Sequence, residues 1–233
     1  MTSITNFSSP KPYPNPHIAT IQRNAIKSWI SLDPDVNIFL IGDEDGVGEA
    51  ANELSVGFIP DVDRNTSGTP LISSMFSKVY EQGSTSLFAY VNADILLMKD
   101  FLNTPEMIER QCDKFLIVGQ RWDLEVNEPL DFSLDWETQL RKRNPVMREL
   151  HLPAGSDYFI YPGGCFKHIP DFAVGRAGWD NWMIYEARRQ TWQTINATGS
   201  IDVIHQNHDY SHLPNGQRHY RLPETNENIR LAG

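Results

Sequence analysis

The chain has 233 residues, with 30 Asp and Glu against 20 Lys and Arg, for a formal net charge of -10. That length fits one domain whose core needs no disulfide or zinc staple, and 40% hydrophobic with 21% charged residues is a globular rather than a disordered composition. The acidic balance argues against nucleic acid as a partner, because phosphate binding needs a basic face; an anionic small molecule stays open if Arg, Lys or a metal ion offsets the charge locally.

In chain order, residues 3–7 read as a short strand, followed by a Pro-rich loop over 10–16. Residues 19–31 predict a helix, with Ile18, Ile21, Ala25, Ile26 and Trp29 on one face. Residues 36–41 form a continuous apolar strand ended by an acidic turn at 42–46, then a short helix and a brief strand at 57–60. Residues 70–82 predict a helix with Leu71, Met75 and Val79 inward. The strongest strand is 86–91, apolar on both faces as expected for a central strand covered by helices. Further strands are expected at 115–119 and 158–161, an aromatic-rich helix at 179–191, and a last strand at 201–204 before a His-rich segment. This alternation predicts a single α/β domain over residues 1–212, its sheet mostly parallel and flanked by helices, with the ligand at the carboxyl ends of the strands. Residues 213–233 read as a tail or an edge extension.

Cys112 and Cys165 are far apart and lack zinc-ligand spacing, which suits a reducing compartment. The first twelve residues have neither the basic nor the apolar region of a signal peptide. No apolar run approaches the roughly 18 residues of a transmembrane helix. A cytoplasmic location is expected, either peripheral to a membrane or as a domain of a larger chain.

The most informative segment is Asn92-Ala93-Asp94, between the strand at 86–91 and the apolar residues 95–98. A carboxylate beside a buried strand needs a compensating partner. For Asp94 that partner is a divalent ion such as Mg2+ or Mn2+, a turn that it caps, or a core Arg. At the end of the next strand, Arg121 can neutralise phosphate or pair with Asp123. Asp157, ahead of the strand at 158–161, can shape a ligand site.

The run Phe88-Ala-Tyr-Val-Asn-Ala-Asp-Ile-Leu-Leu resembles the Asp-x-Asp region of nucleotide-sugar glycosyltransferases of the GT-A fold. The resemblance implies a GT-A-like, Rossmann-like domain in which Asp94 binds the metal on the donor diphosphate and Asn92 contacts the donor. Asn replaces the first Asp of the motif and removes one charge. It further implies that Thr5 and Asn6 lie in the nucleotide-binding loop, that Asp43 recognises the base or ribose, and that Arg64 lies near the donor. Asp180, in Gly178-Trp179-Asp180-Asn181-Trp182, is similar to the late-helix carboxylate that meets the acceptor hydroxyl as general base; it also reads as the N-cap of that helix. Trp179 and Trp182 would raise its pKa by burial or stack on a sugar ring, and Asp157 would face the acceptor. His205 or His208, in a segment that also holds His212, is similar in position to the C-terminal histidine that joins the metal.

The function implied is transfer of a sugar from a UDP- or GDP-sugar to an acceptor hydroxyl, in glycan or polysaccharide biosynthesis. A sugar-phosphate nucleotidyltransferase is an alternative, disfavoured because residues 8–16 are Pro-rich with Lys11 as their one basic group. An inactive carbohydrate- or nucleotide-binding domain is the other. Gly46-Val47-Gly48-Glu49-Ala50-Ala51 matches a loose dinucleotide fingerprint, but the adjacent Asp43, Glu44 and Asp45 would repel a pyrophosphate. With Asp43, Asp94, Asp157 and Asp180 all at expected strand ends or helix starts, an anionic donor calls for a bound cation.

Overall fold

The computed structural model describes residues 3–83, 85–133, 135–142, 149–153, 155–209 and 222–233. Strands β1 (Ile4–Ser8), β2 (Asn37–Ile41), β3 (Gly57–Ile59), β4 (Leu87–Val91), β6 (Phe115–Val118), β9 (Tyr158–Pro162) and β10 (Gln193–Asn196) form a seven-stranded sheet in the order β10-β6-β9-β4-β1-β2-β3. All neighbours are parallel except those of β9, which runs antiparallel between β4 and β6. The mixed, mostly parallel α/β domain expected from the sequence is what forms.

Helices α1 (Pro16–Ile30), α2 (Val47–Leu54) and α4 (Asp100–Glu109) accompany one apolar core; α3 (Ile72–Gln82) and α6 (Trp179–Arg189) accompany the other. In β4, Leu87, Ala89 and Val91 enter the first core while Phe88 and Tyr90 enter the second, which is why this strand reads as apolar throughout. α1 starts three residues earlier than the periodicity indicates. Asn15 caps it by accepting from the His17 and Ile18 amides at 2.9 and 3.2 Å, and Pro16 takes the first helical position, where its missing N–H costs nothing.

A second sheet of four strands, in the order β5-β11-β7-β8, joins β5 (Ile95–Leu97), β11 (Val203–Gln206), β7 (Trp122–Leu124) and β8 (Glu149–Leu150). The last strand thus runs later than expected, so His205 lies inside it. α1 braces β5: the Trp29 indole donates to Ile95 O at 2.8 Å, and Leu97 N donates to Ser28 Oγ at 3.0 Å. α5 (Trp136–Lys142) packs Trp136 and Leu140 against this sheet. Beyond residue 213, α7 (Pro223–Ala232) docks on the chain before α6, with the Asn228 side chain accepting from Ala173 N and donating to Ala173 O at 2.9 and 3.0 Å. No helix among the described residues is long and apolar enough to cross a membrane.

Candidate metal and donor site

β1, β2, β3, β4 and β6 all end at one edge of the large sheet, and antiparallel β9 begins there. The chain leaves β4 at Asn92 and turns, with Ile95 N donating to Asn92 O at 3.0 Å, so Asp94 is presented between the two sheets. The small sheet then sets its neighbours. Antiparallel pairing places His205 opposite Ile95, and parallel pairing places it opposite Asp123. The Gln206 side chain, fully buried, donates to Asp94 O at 3.1 Å and to Ile21 O at 2.8 Å, locking the turn against α1. The loop after β11 is held by a 3.1 Å contact between His17 Nε2 and Asn207 O, and it returns His208 to the turn.

The result is a cluster in which one ligand atom from each of Asp94, His205 and His208 lies within 4.8 Å of the others. Asp94 is 5% exposed, and its Oδ1 has no hydrogen-bond partner among the described residues. His208 Nε2 is 3.1 Å from Asp94 Oδ2, and Lys11 Nζ is 2.6 Å from the same oxygen. Burial opposes ionisation of Asp94, but Lys11, His208 and His205 outweigh it and hold the carboxyl well below its usual range. His205 Nδ1 lies 3.1 Å from Asp123 Oδ1, an ion-pair contact without hydrogen-bond alignment. One carboxylate oxygen with two imidazole nitrogens is a donor set suited to a borderline divalent ion such as Mn2+. The unpartnered Oδ1 adds a second oxygen, so the residues present fit such an ion.

A polar chain runs away from this cluster along the sheet edge. Arg121 donates to Asp123 Oδ1 at 2.9 Å and to Asp157 Oδ2 at 2.6 Å, and His151 Nδ1 is 2.9 Å from Asp123 Oδ2. Asn92 Nδ2 donates to Asp157 Oδ1 at 2.7 Å, and its Oδ1 accepts from the Tyr90 hydroxyl at 3.0 Å. Asp180 lies in the first turn of α6, behind Gly178 in the cap position, and accepts from Gly178 N at 3.2 Å. The cap position thus belongs to Gly178 and not to Asp180. Burial chiefly, with Asp157 adding to it, raises the pKa of Asp180 against the backbone donors that lower it.

The other anticipated residues are dispersed around this centre. Asn6 is fully buried in β1 with neither amide atom paired, and Ser8 Oγ at the end of the same strand is likewise buried and unpaired, both statements being made of the described residues. Thr5 is engaged by Thr85 at 2.7 Å. Asp43 and Glu44 both pair with Arg64 after β2. Trp179 and Trp182 are buried, the first against Tyr90 and Phe159, the second against Phe172. His212 lies outside the described residues. A cleft of about 590 Å³ is lined by Gln120, Arg188, Trp192, Asn196 and Ser156, the chain neighbour of Asp157, among others. Sequence reasoning passed over Ser8 and His151, which carry no motif, and gave Lys11 no part in the site. Their roles arise from contacts distant in sequence.

The strand order, the antiparallel β9 and an acidic turn after β4 accord with the GT-A-like fold that the sequence resemblance implies. No protein-family model matches the sequence, and no curated protein does. Among solved structures, the chain is similar to S. aureus TarS in complex with UDP-GlcNAc, with a TM-score of 0.59 at 11% identity. That match covers 100% of this chain and 65% of the other. It is similar also to the mannosyltransferase PcManGT from Pyrobaculum calidifontis in complex with GDP-Man and Mn2+, with a TM-score of 0.55 at 10% identity, over 90% of this chain and 58% of that one. A third likeness, to a putative nucleotide-diphospho-sugar transferase from Desulfovibrio desulfuricans G20, has a TM-score of 0.51 at 13% identity and spans 100% of this chain and 97% of the other. The chain is therefore shorter than the first two and nearly coextensive with the third. At these identities the likeness establishes the fold.

Proposed function

We propose that the protein is a glycosyltransferase that moves a sugar from a UDP- or GDP-sugar to an acceptor hydroxyl with the help of Mn2+ or Mg2+. The observation that carries this reading is the convergence of Asp94, His205 and His208 at the strand-end edge of a GT-A-like sheet. These three residues would hold the metal, which when bound supplies Lewis acidity to the departing nucleoside diphosphate.

The remaining roles follow from position. The unpaired, buried groups of Asn6 and Ser8 offer hydrogen bonds to the donor at the end of β1. Thr5 secures that strand, and Asp43 with Arg64 flanks the nucleotide. Asn92 orients Asp157 through its amide. Asp180, with its pKa raised toward a useful range, takes the proton of the acceptor hydroxyl. The acceptor enters through the cleft lined by Ser156, with Trp179 and Trp182 supplying the apolar backing of Asp180. Free Cys112 and Cys165 support a cytoplasmic setting.

The test is release of nucleoside diphosphate from a panel of UDP- and GDP-sugars with Mn2+ or Mg2+, before and after chelation. Turnover should need the ion, and Asp94→Asn should reduce it at least about a hundredfold, as expected when a charge-stabilising group is lost. Full activity of Asp94→Asn would remove the metal from this reading, and no turnover or binding of any donor would remove the reading itself.

A further inference from the structure

The Lys11 ammonium occupies the approach to the ligand atoms. Its Nζ is 2.6 Å from Asp94 Oδ2 and 2.9 Å from His208 Nε2. His208 Nδ1 is 2.7 Å from the Asp209 carbonyl, an acceptor, and Nε2 faces both Lys11 Nζ and, at 3.1 Å, Asp94 Oδ2; in the tautomer with the proton on Nδ1, Nε2 keeps its lone pair for Lys11. An imidazole nitrogen has one lone pair. It accepts from the Lys11 ammonium or binds a metal, but not both. Two cations sharing one carboxylate oxygen also repel each other strongly at such separations.

The position of Lys11 is built in. Its amide donates to Gln22 Oε1 at 2.6 Å, and Gln22 Nε2 donates back to the Lys11 carbonyl at 2.9 Å. Gln22 is fully buried on α1. The backbone is therefore clamped, while the four-carbon stem is left to swing, and the Lys11 side chain is 25% exposed.

We propose that Lys11 is an exchangeable counter-ion that makes metal binding conditional on the donor diphosphate; the proposal rests on the metal reading given above. Without a diphosphate, a metal ion must break the pairing of Lys11 with a buried carboxylate and leave the ammonium with water alone. With a diphosphate present, the released ammonium finds phosphate oxygens within reach of its stem. Metal and nucleotide then favour each other's binding reciprocally, and the metal enters with the donor. Lys11 acts here as a positioning residue.

The experiment is Mn2+ titration, read from the spectrum of free Mn2+ by electron paramagnetic resonance, on the wild-type chain, Lys11→Met and Lys11→Arg. Each is measured alone and with saturating UDP or GDP, after subtracting Mn2+ held by the nucleotide itself. In the absence of nucleotide, Lys11→Met should bind Mn2+ about tenfold to a hundredfold more tightly than wild type, the range set by one charge-assisted hydrogen bond. Its further gain from nucleotide should shrink, while Lys11→Arg should keep the weak, nucleotide-dependent binding of wild type. Lys11→Gln repeats the measurement if Lys11→Met fails to fold by circular dichroism. Mn2+ binding by Lys11→Met (or Lys11→Gln) that is equal to or weaker than that of wild type overturns the exchange while leaving the metal site standing. Mn2+ binding by none of the chains, with or without nucleotide, overturns the metal reading and the exchange with it.

Discussion

The amide of Asn92 donates to Asp157 Oδ1 while its carbonyl accepts from the Tyr90 hydroxyl. An aspartate at this position would set a second carboxylate against Asp157, which is 5% exposed and already shares the Arg121 guanidinium with Asp123. The departure from Asp-x-Asp therefore has a local electrostatic reason. Asn92→Asp should destabilise the fold by about 2–3 kcal/mol near neutral pH, the cost of an uncompensated buried carboxylate. Like charges raise the folded-state pKa above the unfolded value, so the deficit should shrink as the pH falls toward the ordinary carboxylate range of about 4. Denaturant melts at several pH values check this, and a pH-independent deficit would assign the effect to lost hydrogen bonds. Asp180 carries the same linkage natively. Its raised pKa means that ionisation opposes folding at neutral pH, and that its favourable contribution is present at low pH and lost as the pH rises through the folded value. Asp180→Asn should therefore leave the melting temperature at pH 7 unchanged or higher, while slowing transfer by about a hundredfold or more. A variant that melts lower and still transfers would make Asp180 structural. Of the site, Asp94 and the two histidines were legible in the sequence because a carboxylate between apolar stretches and histidines after a strand stand out. Lys11 and Asp94 are 83 residues apart, and no local pattern announces their contact.

At the scale of elements, what the sequence conveys depends on how strongly burial constrains each segment. β4 is readable because both of its faces are buried, whereas β7, β8 and β10 are short and half-polar and carry no period. α4 has Pro105 inside it and a mixed surface, so no apolar stripe marks it. The start of α1 was hidden by the prolines that read as a loop, although Pro16 is well suited to the first helical turn. α7 is polar apart from a few positions, and its docking depends on Asn228, 1% exposed, which pairs with both backbone groups of Ala173. Glu224 on the same helix holds Asn65 and Arg176 at 2.7 and 2.8 Å, so α7 ties the loop before α3 to the loop before α6. Asn228→Ala leaves the two Ala173 groups without that partner and should cost about 2–4 kcal/mol. Chemical denaturation measures it, and a loss below about 0.5 kcal/mol, the scale of ordinary surface substitutions, would mean that α7 is held by other contacts.

For the whole molecule, the net charge of -10 is distributed so that, among the described residues, three cations near the sheet edge are already committed. Arg121 is spread over Asp123 and Asp157, Arg64 over Asp43 and Glu44, and Lys11 serves Asp94. A nucleoside diphosphate approaching this edge meets carboxylates that are at best neutralised, and it needs further positive charge to be held. On the reading proposed above, a divalent ion on Asp94, His205 and His208 would provide it, so metal and nucleotide should stabilise the fold together more than the sum of their separate effects. With both at about a hundred times their dissociation constants, the gain for one site is about 2.7 kcal/mol. In a chain of this length that corresponds to a rise in Tm of roughly 5–10 °C. Thermal melts with Mn2+, with UDP or GDP, and with both should show that rise only for the pair, and a chelator should reverse it. An equal rise with nucleotide alone would mean that protein cations suffice to hold the diphosphate, and the charge argument for a metal at this edge would fail.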